Sequence, residues 1–205
     1  MSWEDKFRSW SQPPSQTEQE KCENAERAIK RAIEDDETLS QLDIRVFAQG
    51  SYRARTNIRL DSDVDICVCL QHPFSTRYPP GKTQEELGLV DGSITFREFK
   101  QLVENALINE FGKESVTGGN KAFDVHENTY RIDADVIAAL AYHYYYDEPY
   151  DDGSYGYITP TGIKFIADDG ESVINWPEQT YINGIEKNER TGKRYKGVIR
   201  ILKRL

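Results

Sequence analysis

Four aspartates at the heads of two apolar runs are the residues best placed to do chemistry in this chain. In "RLDSDVDICVCL", residues 59–70, Asp63 and Asp65 precede Ile66, Val68 and Leu70. In "YRIDADVIAAL", residues 130–140, Asp133 and Asp135 precede Val136, Ile137 and Ala138. Alternate residues on a strand share a face, so each pair projects together, about 7 Å apart along the backbone. Charged side chains are rarely buried unless something pairs with them. Two such strands side by side would crowd three or four carboxylates around one point, and like charges there oppose ionisation. Divalent cations relieve the crowding. Magnesium prefers oxygen ligands, and two ions can clamp the attacking and leaving oxygens of an in-line displacement at phosphorus.

A Gly-Ser pair stands a dozen residues before the first aspartates. Gly50 lets backbone approach a phosphate closely, and Ser51 offers a hydroxyl. The amides that follow can point at an anion if a helix starts there. Arg53, Arg55 and Arg59 lie nearby as counter-charges. A Gly-Ser pair alone is more often a turn. The weight rests on the order: strand, Gly-Ser, short polar segment, strand with Asp-x-Asp, later strand with a further Asp.

Other chemistry-bearing residues have plainer readings. Cys22, Cys67 and Cys69 make no even framework and fit small buried hydrophobes in a reducing compartment. His72, His126 and His143 show no zinc spacing and read as surface or core residues. The aromatic run "YHYYYDEPY", residues 142–150, reads as strand packing rather than a stacking platform for bases. "GGNK", residues 118–121, reads as a hairpin turn from which Lys121 could reach the acidic cluster.

The elements that must position these residues follow from periodicity and caps. Trp3, Phe7 and Trp10 have helical spacing. Ser15 and Glu18 form a capping box for a helix running to about Asp35, with Cys22, Ala25, Ile29, Ala32 and Ile33 on one face. "LDIRVFAQGS" reads as a strand that stops at Gly50, and "YRARTNIR" as a short helix or loop. Residues 71–94, with three prolines, read as loop. Thr95 and Glu98 cap a helix carrying Phe96, Phe99, Leu102, Val103, Ala106 and Leu107. Residues 115–140 read as strand, turn and strand, and residues 156–175 as a hairpin turning at "DDG". The amphipathic "RYKGVIRILKRL" ends the chain, with Val198, Ile199, Leu202 and Leu205 on one side. That face needs partners, expected from further helices beyond this chain.

Bulk properties bound the function. The 205 residues suit one domain, or one and part of another. No apolar run approaches the ~20 residues of a spanning helix, and the N-terminus lacks a secretory signal, so a cytoplasmic protein is expected. The net charge is −9, but residues 181–205 carry eight Lys and Arg against two Glu. The acidic body repels long nucleic acid and tolerates a small triphosphate brought in with a divalent cation.

The order "QGSYRARTNIRLDSDVDICV" then "RIDADVIAAL" resembles the polymerase-beta-like nucleotidyltransferase superfamily. Within it the chain is most similar to the cGAS/DncV-like enzymes, bacterial synthases of cyclic oligonucleotide signals in anti-phage defence. "SQPPSQTEQEKCENAE", "VINWPEQTYINGIEKNERTGKRYK" and "VIRILKRL" carry the same likeness. The resemblance implies an α+β fold, a mixed twisted sheet flanked by helices. It implies a catalytic domain over residues 1–190 and the first helix of a C-terminal helical domain over residues 191–205. Gly50 and Ser51 match the motif that holds nucleotide phosphates. Asp63 and Asp65 match the metal-binding Asp-x-Asp, and Asp135 matches the third carboxylate, with Asp133 less well placed. Lys203 matches a phosphate-contacting lysine, and Lys196 lies two turns earlier on the same helix face.

The implied reaction is nucleotidyl transfer with two Mg2+ ions, or Mn2+. Nucleoside triphosphates such as ATP or GTP would be joined into a cyclic product with release of pyrophosphate. Neither membrane nor long nucleic acid is expected as a partner, and a regulatory protein partner is allowed. Two alternatives stand beside it: transfer to an RNA or non-nucleotide acceptor, and an inactive nucleotide-binding fragment.

Overall fold

A computed structural model describes residues 2–59 and 63–205 of the chain. In chain order the elements are helix α1 (Trp3–Trp10), helix α2 (Gln16–Glu34), strand β1 (Ile44–Ala48), the one-turn helix α3 (Gly50–Arg53) and strand β2 (Val64–Arg77). Helix α4 (Phe96–Phe111) follows, then strands β3 (Val116–Gly118), β4 (Phe123–Val125), β5 (Ala134–Tyr144), β6 (Gly162–Ile166) and β7 (Ser172–Asn175). Helices α5 (Pro177–Arg190) and α6 (Tyr195–Leu202) complete the order. Among the described residues no helix is long and apolar enough to cross a membrane.

The two strands headed by aspartates lie side by side. β2 and β5 run parallel through the middle of one mixed sheet, ordered β1-β2-β5-β4-β3, while β6 and β7 extend it from the far half of β5. All other pairings are antiparallel. Alternation along the central strands decides which face is core. Val64, Ile66, Val68 and Leu70 of β2 and Ala134, Val136 and Ala138 of β5 point to one face. There they meet Ile29 and Ile33 of α2 and Phe99, Val103 and Leu107 of α4. Cys67, Cys69, Ala139 and Ala141 point to the other face, with Phe47, Ile163 and Phe165. By the same alternation Asp65 and Asp135 belong to this second face, opposite α2 and α4.

Local signals held where they were strong. Ser15 with Glu18 and Thr95 with Glu98 both form complete capping boxes. The expected loop over residues 71–94 needs correction, because β2 continues to Arg77. Its register against β5 shifts between Leu70 and Ser75, then resumes with Ser75 to Arg77 opposite Tyr142 to Tyr144. Pro73 has no N–H for a ladder, and the irregularity takes it out of the pairing. Residues 115–140 form three strands rather than two, β3 and β4 making a small hairpin at "GGNK". On α6, Val198 and Leu202 are half-exposed or more, as is Leu205 just beyond.

Candidate active site

The site is built at the heads of β2 and β5. Their register sets Asp65 directly opposite Asp135, and the Val64 amide donates to the Asp133 carbonyl at 3.1 Å. β4 continues the row, because Asp124 pairs with Asp135 on its other side. Three carboxylates therefore stand abreast on neighbouring strands of one face. Burial raises the pKa of Asp65, Asp63 adds to it, and the Lys203 ammonium and the Ser51 amide offset part of the rise. Burial also raises the pKa of Asp135, followed by the charges of Asp65, Asp124 and Asp133. Asp63 is exposed at the entry to β2. An oxygen-only donor set held against its own repulsion fits hard divalent cations.

The Gly-Ser turn packs directly on this row. The Gln49 amide donates to the Asp65 carbonyl at 2.8 Å, extending the pairing of β1 with β2. The chain then turns through Gly50 at φ +61° into α3. A Cβ on Gly50 would lie 2.0 Å from Asp65 Oδ2, so only glycine lets the turn sit there. The Ser51 amide donates to the Asp65 carboxylate.

A cavity of about 580 Å³ opens over these groups. Gly50, Ser51 and Asp65 form its floor, α5 supplies Pro177, Thr180 and Tyr181, and α6 supplies Lys196, Ile199 and Lys203. Both lysines expected at the site thus reach it. Lys196 is partly buried there, which lowers its pKa, with Arg55 and Arg200 contributing. The cavity joins a rim of cations to a floor that carries the Asp65 carboxylate, which suits a metal-bearing polyphosphate.

Two of the flanking arginines, Arg53 and Arg59, are held by partners of their own. Arg53 reaches both oxygens of Glu178 through Nη2, at 2.7 Å to each, and Arg59 donates to the Pro13 carbonyl at 2.9 Å. Lys121 pairs with Glu171 at 2.7 Å instead of reaching the carboxylate row.

Sequence reasoning missed a second ligand set. Asp124, His126 and Asp133 each place one ligand atom within 4.8 Å of the others, a group positioned to take a metal ion. Among the described residues, Asp63, Asp65 and Asp135 do not close into a set that tight. The signal was the alternation in "DVH", which puts Asp124 and His126 on one strand face. His126 Nε2 lies 2.9 Å from Thr117 Oγ1, and Asp133 accepts from the Glu127 amide.

The chain is 49% identical over 207 residues to the cyclic dipyrimidine nucleotide synthase CdnE of Legionella pneumophila, covering all of this chain and 68% of that protein. It belongs to the CdnE family of cyclic-nucleotide synthases. A second CdnE relative, the cyclic dipyrimidine nucleotide synthase of Cecembia lonarensis, is 40% identical over 98% of this chain and 66% of its own length. The CdnE c-UMP-AMP synthase of Rhodothermus marinus, solved with Apcpp and Upnpp, superposes with a TM-score of 0.83 at 30% identity, covering 99% of this chain and 66% of that one. No protein-family model matches the chain. The chain spans about two thirds of the length of these CdnE relatives. Membership bears out the nucleotidyltransferase resemblance and the α+β class with its mixed sheet flanked by helices.

Proposed function

We propose that this chain carries the catalytic core of a cyclic dinucleotide synthase that accepts a pyrimidine triphosphate. The observation that carries the reading is the Asp65–Asp135 register, with the Gly50–Ser51 turn packed on it at the floor of the cavity. The names of the two CdnE relatives support the pyrimidine preference. Two magnesium ions held by Asp63, Asp65 and Asp135, or manganese in their place, would neutralise the triphosphate and acidify the attacking hydroxyl.

The chain's own residues do the rest. The Ser51 hydroxyl, at the start of α3, orients the outer phosphates. Lys196 and Lys203 balance their charge from α6. The oxygen of a ribose hydroxyl attacks the α-phosphorus and the bond to the bridging oxygen breaks. Pyrophosphate leaves, and the Asp135 carboxylate holds the hydroxyl proton. Positioning and charge neutralisation supply most of the rate in such transfers. A second transfer between the joined nucleotides closes the ring.

The test is incubation with magnesium and labelled ATP, GTP, CTP and UTP, then phosphatase treatment and chromatography. A phosphatase-resistant, uridine- or cytidine-containing product is expected. Asp65→Asn should reduce it by at least about a hundredfold. Wild-type protein that forms no product and shows no cation-dependent triphosphate binding would overturn the reading.

A further inference from the structure

We propose that Glu178 is a positioning residue for the nucleotide site, its carboxylate locking the Gly50–Arg53 turn to the helix that forms the opposite cavity wall. The inference rests on the reading of that turn as the phosphate-binding element. α3 is one turn long, and its N-cap, Gln49, makes no side-chain cap. A single turn costs more order than its few hydrogen bonds return, so its placement must come from outside. The placement matters, because the turn carries the groups set over Asp65.

The outside hold is Glu178. It is the second residue of α5, where the positive end of the helix dipole favours a carboxylate. Arg53, the last residue of α3, reaches both of its oxygens at 2.7 Å. Arg45 of β1 bonds the same carboxylate. The Arg53 guanidinium also donates to the Ala48 carbonyl at 3.3 Å and lies 4.7 Å from the ring centre of Tyr181 on α5. The side chains of Glu178 and Arg53 are 15% and 22% exposed, so solvent screens the pair only weakly. One carboxylate therefore ties β1, α3 and α5 together. The elements it joins supply Gly50 and Ser51 on one side of the cavity and Pro177, Thr180 and Tyr181 on the other. The planar guanidinium holds the carboxylate through Nη2 and the Ala48 carbonyl through Nη1 at once, a fixed geometry that the single ammonium of Lys at position 53 does not reproduce.

The test uses the isosteric variant Glu178→Gln, with Arg53→Lys as a second variant, in the full chain. Hydrogen exchange without nucleotide reads the clamp directly. Exchange over residues 49–57 is expected to quicken about tenfold in Glu178→Gln, with β2 and β5 unchanged. Steady-state kinetics should show a KM for triphosphate raised about tenfold and kcat within threefold. The double variant should be no worse than either single one. Unchanged exchange over residues 49–57 overturns the inference whether or not the chain makes a product. A lowered KM would also overturn it, by showing that Glu178 only withholds Arg53 from the phosphates. Wild-type protein without activity but with the exchange difference would count against the proposed reaction and leave the clamp standing.

Discussion

At the scale of the residue, the site turns on contacts that leave no room. Gly50 combines a left-handed backbone with a neighbour, Asp65 Oδ2, where a Cβ would have to be. Gly50→Ala therefore carries two costs. The backbone conformation alone disfavours a side chain by about 1–2 kcal/mol, and the steric conflict pushes the turn off the carboxylate that its Ser51 amide binds. The expected result is a triphosphate affinity lowered more than about tenfold, measured by titration calorimetry, together with a lower melting temperature. The two costs separate in the double variant Gly50→Ala/Asp65→Ala, which removes the clashing side chain. It should regain part of the thermal stability and none of the activity. A double variant no more stable than Gly50→Ala would show that strain at φ +61°, and not the contact with Asp65, dominates.

At the scale of the element, the question is what holds α6 over the cavity. Arg200 is buried between Lys196 and Lys203 on the same helix stripe. Its Nε donates to the Ser11 carbonyl at 2.7 Å and its Nη1 to the Arg55 carbonyl at 2.6 Å. It thus ties α6 both to the segment after α1 and to the loop after α3. Arg200→Met keeps most of the apolar stem and leaves two carbonyls short of a donor. A stability loss of about 2–4 kcal/mol by urea denaturation is expected, with weaker triphosphate binding as both lysines lose their placement. The elements themselves were largely legible in the sequence, because caps and periodicity are local: Ser15/Glu18 and Thr95/Glu98 announce their helices within four residues. The alternation within each Asp-x-Asp was legible for the same reason, but Asp124, the third carboxylate of the row, sits on a three-residue strand that the sequence reading passed over. What joins elements was not. Glu178 and Arg53 are 125 residues apart, and nothing local to either names the other. The tail of β2 was hidden by Pro73, which reads as a breaker unless the ladder is known to skip it.

At the scale of the molecule, the far half of the sheet carries a group whose titration couples to the whole fold. His143 of β5 is stacked between Phe74 at 3.9 Å and Tyr157 at 4.1 Å, and so joins the tail of β2 to the segment before β6. Its Nδ1 is buried and has no hydrogen-bond partner among the described residues. Burial, with a smaller contribution from His72, lowers its pKa from 6.5 to about 4. The folded protein thus resists a proton that the unfolded chain accepts near pH 6.5. Between those two values the unfolded state binds more protons, so stability falls as pH falls. The shift corresponds to a loss of about 3 kcal/mol by pH 4. Asp65 and Asp135 act with the opposite sign. Their raised pKa values mean that protonation stabilises the fold, a benefit complete at low pH and lost as pH rises through the folded values. The net acid slope of stability is the difference between these contributions, and wild-type data alone cannot apportion it. His143→Phe can, since it preserves an aromatic stack, removes the proton site and leaves both carboxylates in place. Urea midpoints of wild type and variant should agree within about 1 kcal/mol at pH 7.5 and diverge steadily below pH 6.5, the variant becoming the more stable. Parallel curves down to pH 4 would show that His143 takes up its proton in the fold without cost, and would put the acid sensitivity elsewhere in the molecule.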